Sequence, residues 1–104
     1  MANTFGTDIL IQSPDPESAA AFYVDQLGFT ITAREPMLEL AGKHINLYVE
    51  KGPPLGPVFE VTVSSVEDAT RRLVAHGCTV VKDEPHFPRR YVQDPNGLIY
   101  NLTQ

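Results

Sequence analysis

Tryptophan is absent from this chain of 104 residues, and cysteine occurs once, as Cys78. A single cysteine cannot form a disulfide within the chain, and a lone cysteine in an apolar stretch is usually a small buried side chain. The cysteine content therefore predicts a protein of a reducing compartment, which we take to be the cytoplasm.

Basic residues are also scarce. The chain has 8 lysines and arginines against 13 aspartates and glutamates, which gives a formal net charge of −5. Proteins that bind nucleic acids need a surplus of basic side chains to neutralise phosphates. We therefore expect no nucleic-acid partner.

Long apolar runs are missing as well. No stretch approaches the ~20 apolar residues that a membrane-spanning helix needs, and residues 1–6 lack the features of a secretory signal. We expect neither a membrane partner nor secretion. What is present, 42% hydrophobic and 20% charged residues, is typical of one globular domain.

The same order of short strands and one helix is predicted twice along the chain. The first half predicts a strand, a helix and three strands, over residues 8–12, 17–27, 29–35, 37–40 and 44–50. The second half repeats this order, over residues 58–63, 66–76, 78–81, 90–93 and 98–103. We therefore predict a single α+β domain, residues 1–104, built from two βαβββ modules, about 5–51 and about 58–104.

The segment between the two modules consists almost entirely of glycine and proline, from Gly52 to Pro57. Proline removes a backbone donor, and glycine weakens a regular element. We predict that residues 52–57 are a linker through which no regular element runs.

Alternation along the predicted strands separates an apolar face from a polar one. We expect the apolar face to pack on the helices. The polar face either meets water or lines a binding cup. With one further strand residue, Tyr91, the candidate ligand-binding residues are Asp8, Gln12, His44, Asn46, Tyr48, Glu50, Glu60, Tyr91 and Asn101.

Two stretches carry a family resemblance. Residues 15–29, with an aspartate at the start, Phe22-Tyr23 in the middle and Leu27-Gly28-Phe29 at the end, resemble the opening motif of the vicinal oxygen chelate superfamily. The turn Asp94-Pro95-Asn96-Gly97 is similar to the superfamily's turn before its last strand. The superfamily includes glyoxalases, bleomycin resistance proteins and extradiol dioxygenases. The resemblance implies that the two modules form a curved mixed sheet around a cup.

Many members of this superfamily hold a divalent metal in the cup, where it acts as a Lewis acid. The resemblance implies ligands on the first and last strand of each module, at positions that we assign to Asp8, Asn46, Val58 and Asn101. Valine cannot bind a metal, and carboxamides are poor ligands for zinc, nickel or iron. We therefore expect no metal site and no cofactor.

A shifted strand register leaves an alternative open. It brings Glu50 into the site, where Asp8, His44, Glu50 and Glu60 are candidates for a non-standard cluster that binds a divalent metal ion.

Three functions are compatible with these residues. The first is metal-free binding of a small molecule, as in drug-sequestering members that confer antibiotic resistance. The second is an enzyme, namely a lyase, isomerase or dioxygenase that uses a non-standard metal site, or a metal-free variant with Glu60 or His44 as general base. The third is an interaction module with a vestigial cup. We favour the first, and the sequence identifies no catalytic residue.

Aromatic and acidic residues define the ligand that we expect. Tyr48, Tyr91 and Phe87 are candidates to stack on a flat ligand. The carboxylates of Asp8, Glu50 and Glu60 favour a cationic one.

The pair Arg89-Arg90 offers a different possibility, a clamp for a carboxylate or phosphate. We favour a solvated loop there, because exposed arginine pairs are common.

From the superfamily resemblance we also expect a homodimer.

Overall fold

The computed structural model describes residues 3–85 and 89–104. Its elements are β1 (Thr4–Ser13), α1 (Pro16–Leu27), β2 (Thr30–Ala33), β3 (Leu38–Ala41), β4 (Asn46–Lys51), β5 (Leu55–Thr62), α2 (Val66–Ala75), β6 (Thr79–Glu84), β7 (Arg89–Gln93) and β8 (Ile99–Thr103). They form two compact units. Module one is Thr7–Pro57, and module two is Val58–Gln104 together with the described residues up to Gly6.

Module one pairs its strands in the order β2, β3, β4, β1. The β1–β4 pair is parallel, and the other two pairs are antiparallel. Helix α1 begins where the Asp15 carboxylate accepts a hydrogen bond from the Ser18 backbone N–H at 3.1 Å, and it ends at Gly28, whose φ of 79° is left-handed. Its buried Ala20 packs against Leu40 and Val49 to form the core of the module.

Module two repeats this arrangement in the order β5, β8, β7, β6. The β5–β8 pair is parallel, and the others are antiparallel. Ser65 caps α2 by accepting a hydrogen bond from the Asp68 N–H at 3.2 Å. The core joins Ala69 of the helix to the buried side chains of Val92 and Leu102. The predicted α+β class with two βαβββ modules is therefore confirmed.

The buried position predicted for Cys78 is confirmed as well. Its side chain belongs to the core of module two, and Sγ lies 3.8 Å from the hydroxyl of Tyr100. Burial, together with nearby Cys78 and Asp94, raises the pKa of Tyr100 well above its usual range. That hydroxyl therefore stays protonated at ordinary pH.

The predicted linker is wrong in part. Strand β5 begins at Leu55, within the segment that we expected to have no regular structure, so residues 52–54 alone separate β4 from β5. Gly56 and Pro57 are both exposed near the start of that strand. A proline is tolerated there because the strand's first residues need not donate every ladder hydrogen bond.

Strand β4 also begins later than predicted. It starts at Asn46, so His44 is an exposed residue of the turn that joins β3 to β4. In this turn the Gly42 N–H donates to the Ile45 carbonyl at 2.8 Å. His44 therefore has no place on a strand face, and its predicted position there is wrong.

The two helices of the described residues have 12 and 10 residues. Neither has the length and the apolar run that a membrane crossing requires.

Candidate functional site

A row of polar side chains lies on the side of module one that faces away from α1. In the parallel β1–β4 ladder, Asp8 is opposite Asn46, Leu10 is opposite Tyr48, and Gln12 is opposite Glu50. The alternate residues, Ile9, Ile11, Leu47 and Val49, belong to the core beneath the helix. We call the first set, with its β3 neighbours, the polar face of module one.

Strand β3 adds two residues to this face that the sequence prediction missed. Glu39 is opposite Tyr48, and Ala41 is opposite Asn46. Strand β3 has only four residues, from Leu38 to Ala41, and three of them are apolar. Its alternation is therefore too short to predict which residues lie on the polar face.

Asp8 and Asn46 are joined by a direct hydrogen bond. The side-chain nitrogen of Asn46 donates to Oδ1 of Asp8 at 3.0 Å, and the pair is partly buried. Because a carboxylate can only accept, this bond determines which end of the amide faces Asp8. The second carboxylate oxygen and the Asn46 carbonyl, both acceptors, are not used by this bond.

Gln12 has a structural contact at the other end of the face. Its side chain is 9% exposed, and Nε2 donates to the Pro53 carbonyl at 3.0 Å. Gln12 therefore holds the 52–54 connection, whereas Tyr48 and Glu50 beside it are half-buried.

Module two has a corresponding polar face. Glu60 is opposite Asn101 in the β5–β8 ladder, and Tyr91 of β7 is opposite Asn101 on its other side. Oδ1 of Asn101 accepts the backbone N–H of Arg90 at 3.0 Å. A backbone N–H can only donate, so the amide oxygen of Asn101 is directed at β7.

The Glu60 carboxylate lies against a glycine. A Cβ atom placed on Gly6 would lie 3.1 Å from Oε1 of Glu60, which is closer than ordinary van der Waals contact. Any larger residue at position 6 would displace this carboxylate. No pattern in the sequence distinguishes Gly6 from other glycines.

Tyr91 does not offer the stacking surface that we predicted. Its side chain is 1% exposed, and Nζ of Lys82 lies 5.5 Å from the centre of its ring. The ring is packed within the protein and is closed to a ligand in this conformation. Phe87, the other aromatic residue predicted near it, lies outside the described residues.

The two ladders show which residues of the modules correspond. Asp8 pairs with Asn46 in module one, and Glu60 pairs with Asn101 in module two. The counterpart of Asp8 is therefore Glu60. Our assignment of that place to Val58, which is 2% exposed, is wrong by two residues. Both modules carry a carboxylate opposite a carboxamide.

These four side chains do not fit the metal centre that the superfamily resemblance implies. None is an imidazole, and the Asn101 oxygen is already engaged by a backbone N–H. Zinc, nickel and iron favour nitrogen or sulfur ligands over carboxamides. Within residues 3–85 and 89–104, no group of three or more His, Cys, Asp or Glu side chains is placed to hold an ion. The alternative cluster around Glu50 and His44 is therefore not formed there.

The solvated loop that we favoured at Arg89-Arg90 is wrong, because both residues lie in strand β7. The alternative, a clamp for a carboxylate or phosphate, lacks support, because Arg90 is engaged by side chains of the protein itself. Arg90 donates from Nη1 to Oγ1 of Thr70 at 3.0 Å and from Nη2 to Oε2 of Glu67 at 2.9 Å. Its Nε lies 3.2 Å from Oδ1 of Asp83 but is not aligned for a hydrogen bond. Arg90 thus connects α2 to β6 and β7.

The charge of Arg90 is accordingly stabilised. Burial alone would lower its pKa, but the carboxylates of Glu67 and Asp83 outweigh this effect and raise the pKa above its ordinary value. A cavity of about 480 Å³ lies beside these residues. Its described lining has five charged side chains, of which Glu67 and Asp83 both pair with Arg90.

Comparison with known proteins identifies the family of this chain. The model of the glyoxalase-like domain matches residues 8–103. The chain belongs to the glyoxalase-like domain family. A search of curated proteins found no match.

Solved structures of the same superfamily share the fold of this glyoxalase-like chain. A glyoxalase/bleomycin resistance protein/dioxygenase superfamily member from Vibrio splendidus 12B01 is 20% identical, with 95% of this chain and 97% of that chain covered and a TM-score of 0.63. Methylmalonyl-CoA epimerase from Mycobacterium tuberculosis is 19% identical. The match covers 91% of this chain and 83% of the epimerase chain, with a TM-score of 0.53.

Homoprotocatechuate 2,3-dioxygenase from B. fuscum, as its H200Q variant, is 22% identical with a TM-score of 0.58. The match covers 97% of this chain but 32% of the dioxygenase chain. At these identities the likeness establishes the fold of the glyoxalase-like chain and leaves its function to be argued from its own residues.

Proposed function

We propose that this glyoxalase-like protein binds a small organic molecule without the help of a metal ion. One observation carries the proposal: the two matched positions, Asp8–Asn46 and Glu60–Asn101, hold carboxylates opposite carboxamides. Such pairs recognise organic ligands through hydrogen bonds and charge. Drug sequestration, a cytoplasmic location and a homodimer remain predictions.

A second function has one observation in its favour. Because Glu60 corresponds to Asp8, each module carries a carboxylate opposite a carboxamide of its own, and oxygen ligands suit Mg²⁺, Ca²⁺ or Mn²⁺. On that hypothesis the protein is a lyase, isomerase or dioxygenase with an oxygen-only metal site. Within the described residues no third His, Cys, Asp or Glu side chain completes such a site, so carboxamide oxygens and water would have to supply its other ligands.

A thermal-shift screen in the presence of a chelator separates the two functions. The full chain is heated with a set of small organic molecules in EDTA, and the melting temperature Tm is recorded. We expect at least one compound to raise Tm, since a ligand at one hundred times its Kd adds about 2.7 kcal/mol of stability.

The matching control repeats the screen with added Mg²⁺ or Mn²⁺ in place of EDTA. Metal-free binding predicts the same Tm shifts in both buffers. Shifts that occur only with the divalent ion would support the oxygen-only metal site and contradict our proposal.

A further inference from the structure

We infer that the polar face of module one recognises an aromatic cation, an inference that rests on the metal-free binding proposed above. The charged head of the ligand donates hydrogen bonds to Asp8 and Asn46. Its ring lies on Leu10 and Tyr48.

The head-group contact follows from the polarity of the Asp8–Asn46 pair. The 3.0 Å bond between them uses an N–H of the asparagine and one oxygen of the carboxylate. The remaining oxygens of both side chains are acceptors. A planar group with several N–H donors and a positive charge, such as an amidinium, matches such acceptors in both hydrogen bonding and charge.

The ring contact follows from the next row of the ladder. Leu10 and Tyr48 lie opposite each other, two residues beyond Asp8 and Asn46 on the same face, and both are half-buried. Two residues along a strand span roughly 7 Å, a separation that one aromatic ring attached to the head group can bridge. A leucine and a tyrosine side chain together provide an apolar and aromatic surface for that ring.

The charge of the surrounding face favours a cation over an anion. Besides Asp8, the carboxylate of Glu39 lies on this face, opposite Tyr48. Among the described strand residues assigned to this face, none is a lysine or arginine. The polar face of module two differs, since Lys82 lies beside Tyr91 there. We therefore assign the cation to module one.

Three probes of the same shape test this inference. Benzamidine carries a positive head group, benzamide a neutral one and benzoate a negative one. Titration of the full chain in EDTA is expected to show binding of benzamidine, at least tenfold weaker binding of benzamide, and no binding of benzoate.

Two variants test the residues. Asp8→Asn keeps the shape of the side chain and is expected to weaken benzamidine binding at least tenfold, and Tyr48→Leu is expected to weaken it several-fold. The matched control is Asp25→Asn, which changes an exposed aspartate on α1 and should leave binding unchanged. Circular dichroism and Tm of each variant verify that it is folded.

The outcomes separate the inference from the proposed function. Equal binding of benzamidine, benzamide and benzoate, or an Asp8→Asn variant that binds like the parent, overturns the inference. So does failure of benzamidine to bind when other molecules from the EDTA screen do, and the proposed function then stands. If no molecule binds without a metal ion, both are overturned.

Discussion

Replacement of Leu40 by alanine is expected to lower the free energy of unfolding by about 2–5 kcal/mol, the usual cost of removing a large buried aliphatic side chain. Leu40 is 1% exposed and lies in the core of module one, among side chains from α1, β3 and β4. The truncation leaves a cavity there that the surrounding strands cannot close. Urea unfolding followed by circular dichroism measures the change.

Leu27→Ala is the matched control for this experiment. Leu27 ends α1 and is 59% exposed, so the same truncation should change stability by less than about 0.5 kcal/mol. Similar losses for both variants would contradict the position of the module one core.

The second large effect is expected at Arg90. Arg90→Ala removes the hydrogen bonds to Thr70 and Glu67 and leaves Asp83 without its nearby cation. We expect a loss of about 1–3 kcal/mol, below the cost of breaking a fully buried pair because the two carboxylates are largely exposed.

Arg71→Ala provides a comparison of equal chemistry. Arg71 pairs with Asp68 on the surface of α2, the helix that Arg90 contacts, and the Arg71 side chain is 72% exposed. Such surface pairs contribute at most about 1 kcal/mol, and often nothing measurable. Thermal unfolding of both variants tests the difference, and an Arg90→Ala protein as stable as Arg71→Ala would show that Arg90 does not connect α2 to the strands.

The helices were predictable because their ends depend on local chemistry. Asp15 directly precedes α1 and caps it by accepting the N–H of Ser18, and Gly28 ends the helix through its own backbone conformation. The strand ends were less predictable. Whether Leu55 joins β5 or stays in a connection depends on partner strands far along the chain, and the composition of residues 52–57 carries no information about those partners.

The sequence predicted which residues belong to the candidate site better than it predicted how they pair. Alternation correctly separated Asn46 and Tyr48 from the core residues Leu47 and Val49. The correspondence of Asp8 with Glu60 was missed, because the register of each ladder is decided by packing in three dimensions.

The sequence pattern also does not predict how deeply each residue of a polar face is buried. A tyrosine on a polar face can be open or covered, and the alternation of β7 is the same in either case. In the structure Tyr91 is almost completely buried, and the ammonium group of Lys82 lies over its ring. Of the residues predicted to stack on a ligand, Tyr48 is half-buried, and its stacking role stays a prediction.

The central claim is that carboxylate and carboxamide pairs in this glyoxalase-like protein act without a transition metal. Elemental analysis of protein purified without chelators, for zinc, nickel, manganese and iron, tests it most directly. The account predicts far less than one ion for every two chains. One bound ion per chain, removed only by a strong chelator and restored by adding the same metal, would contradict it.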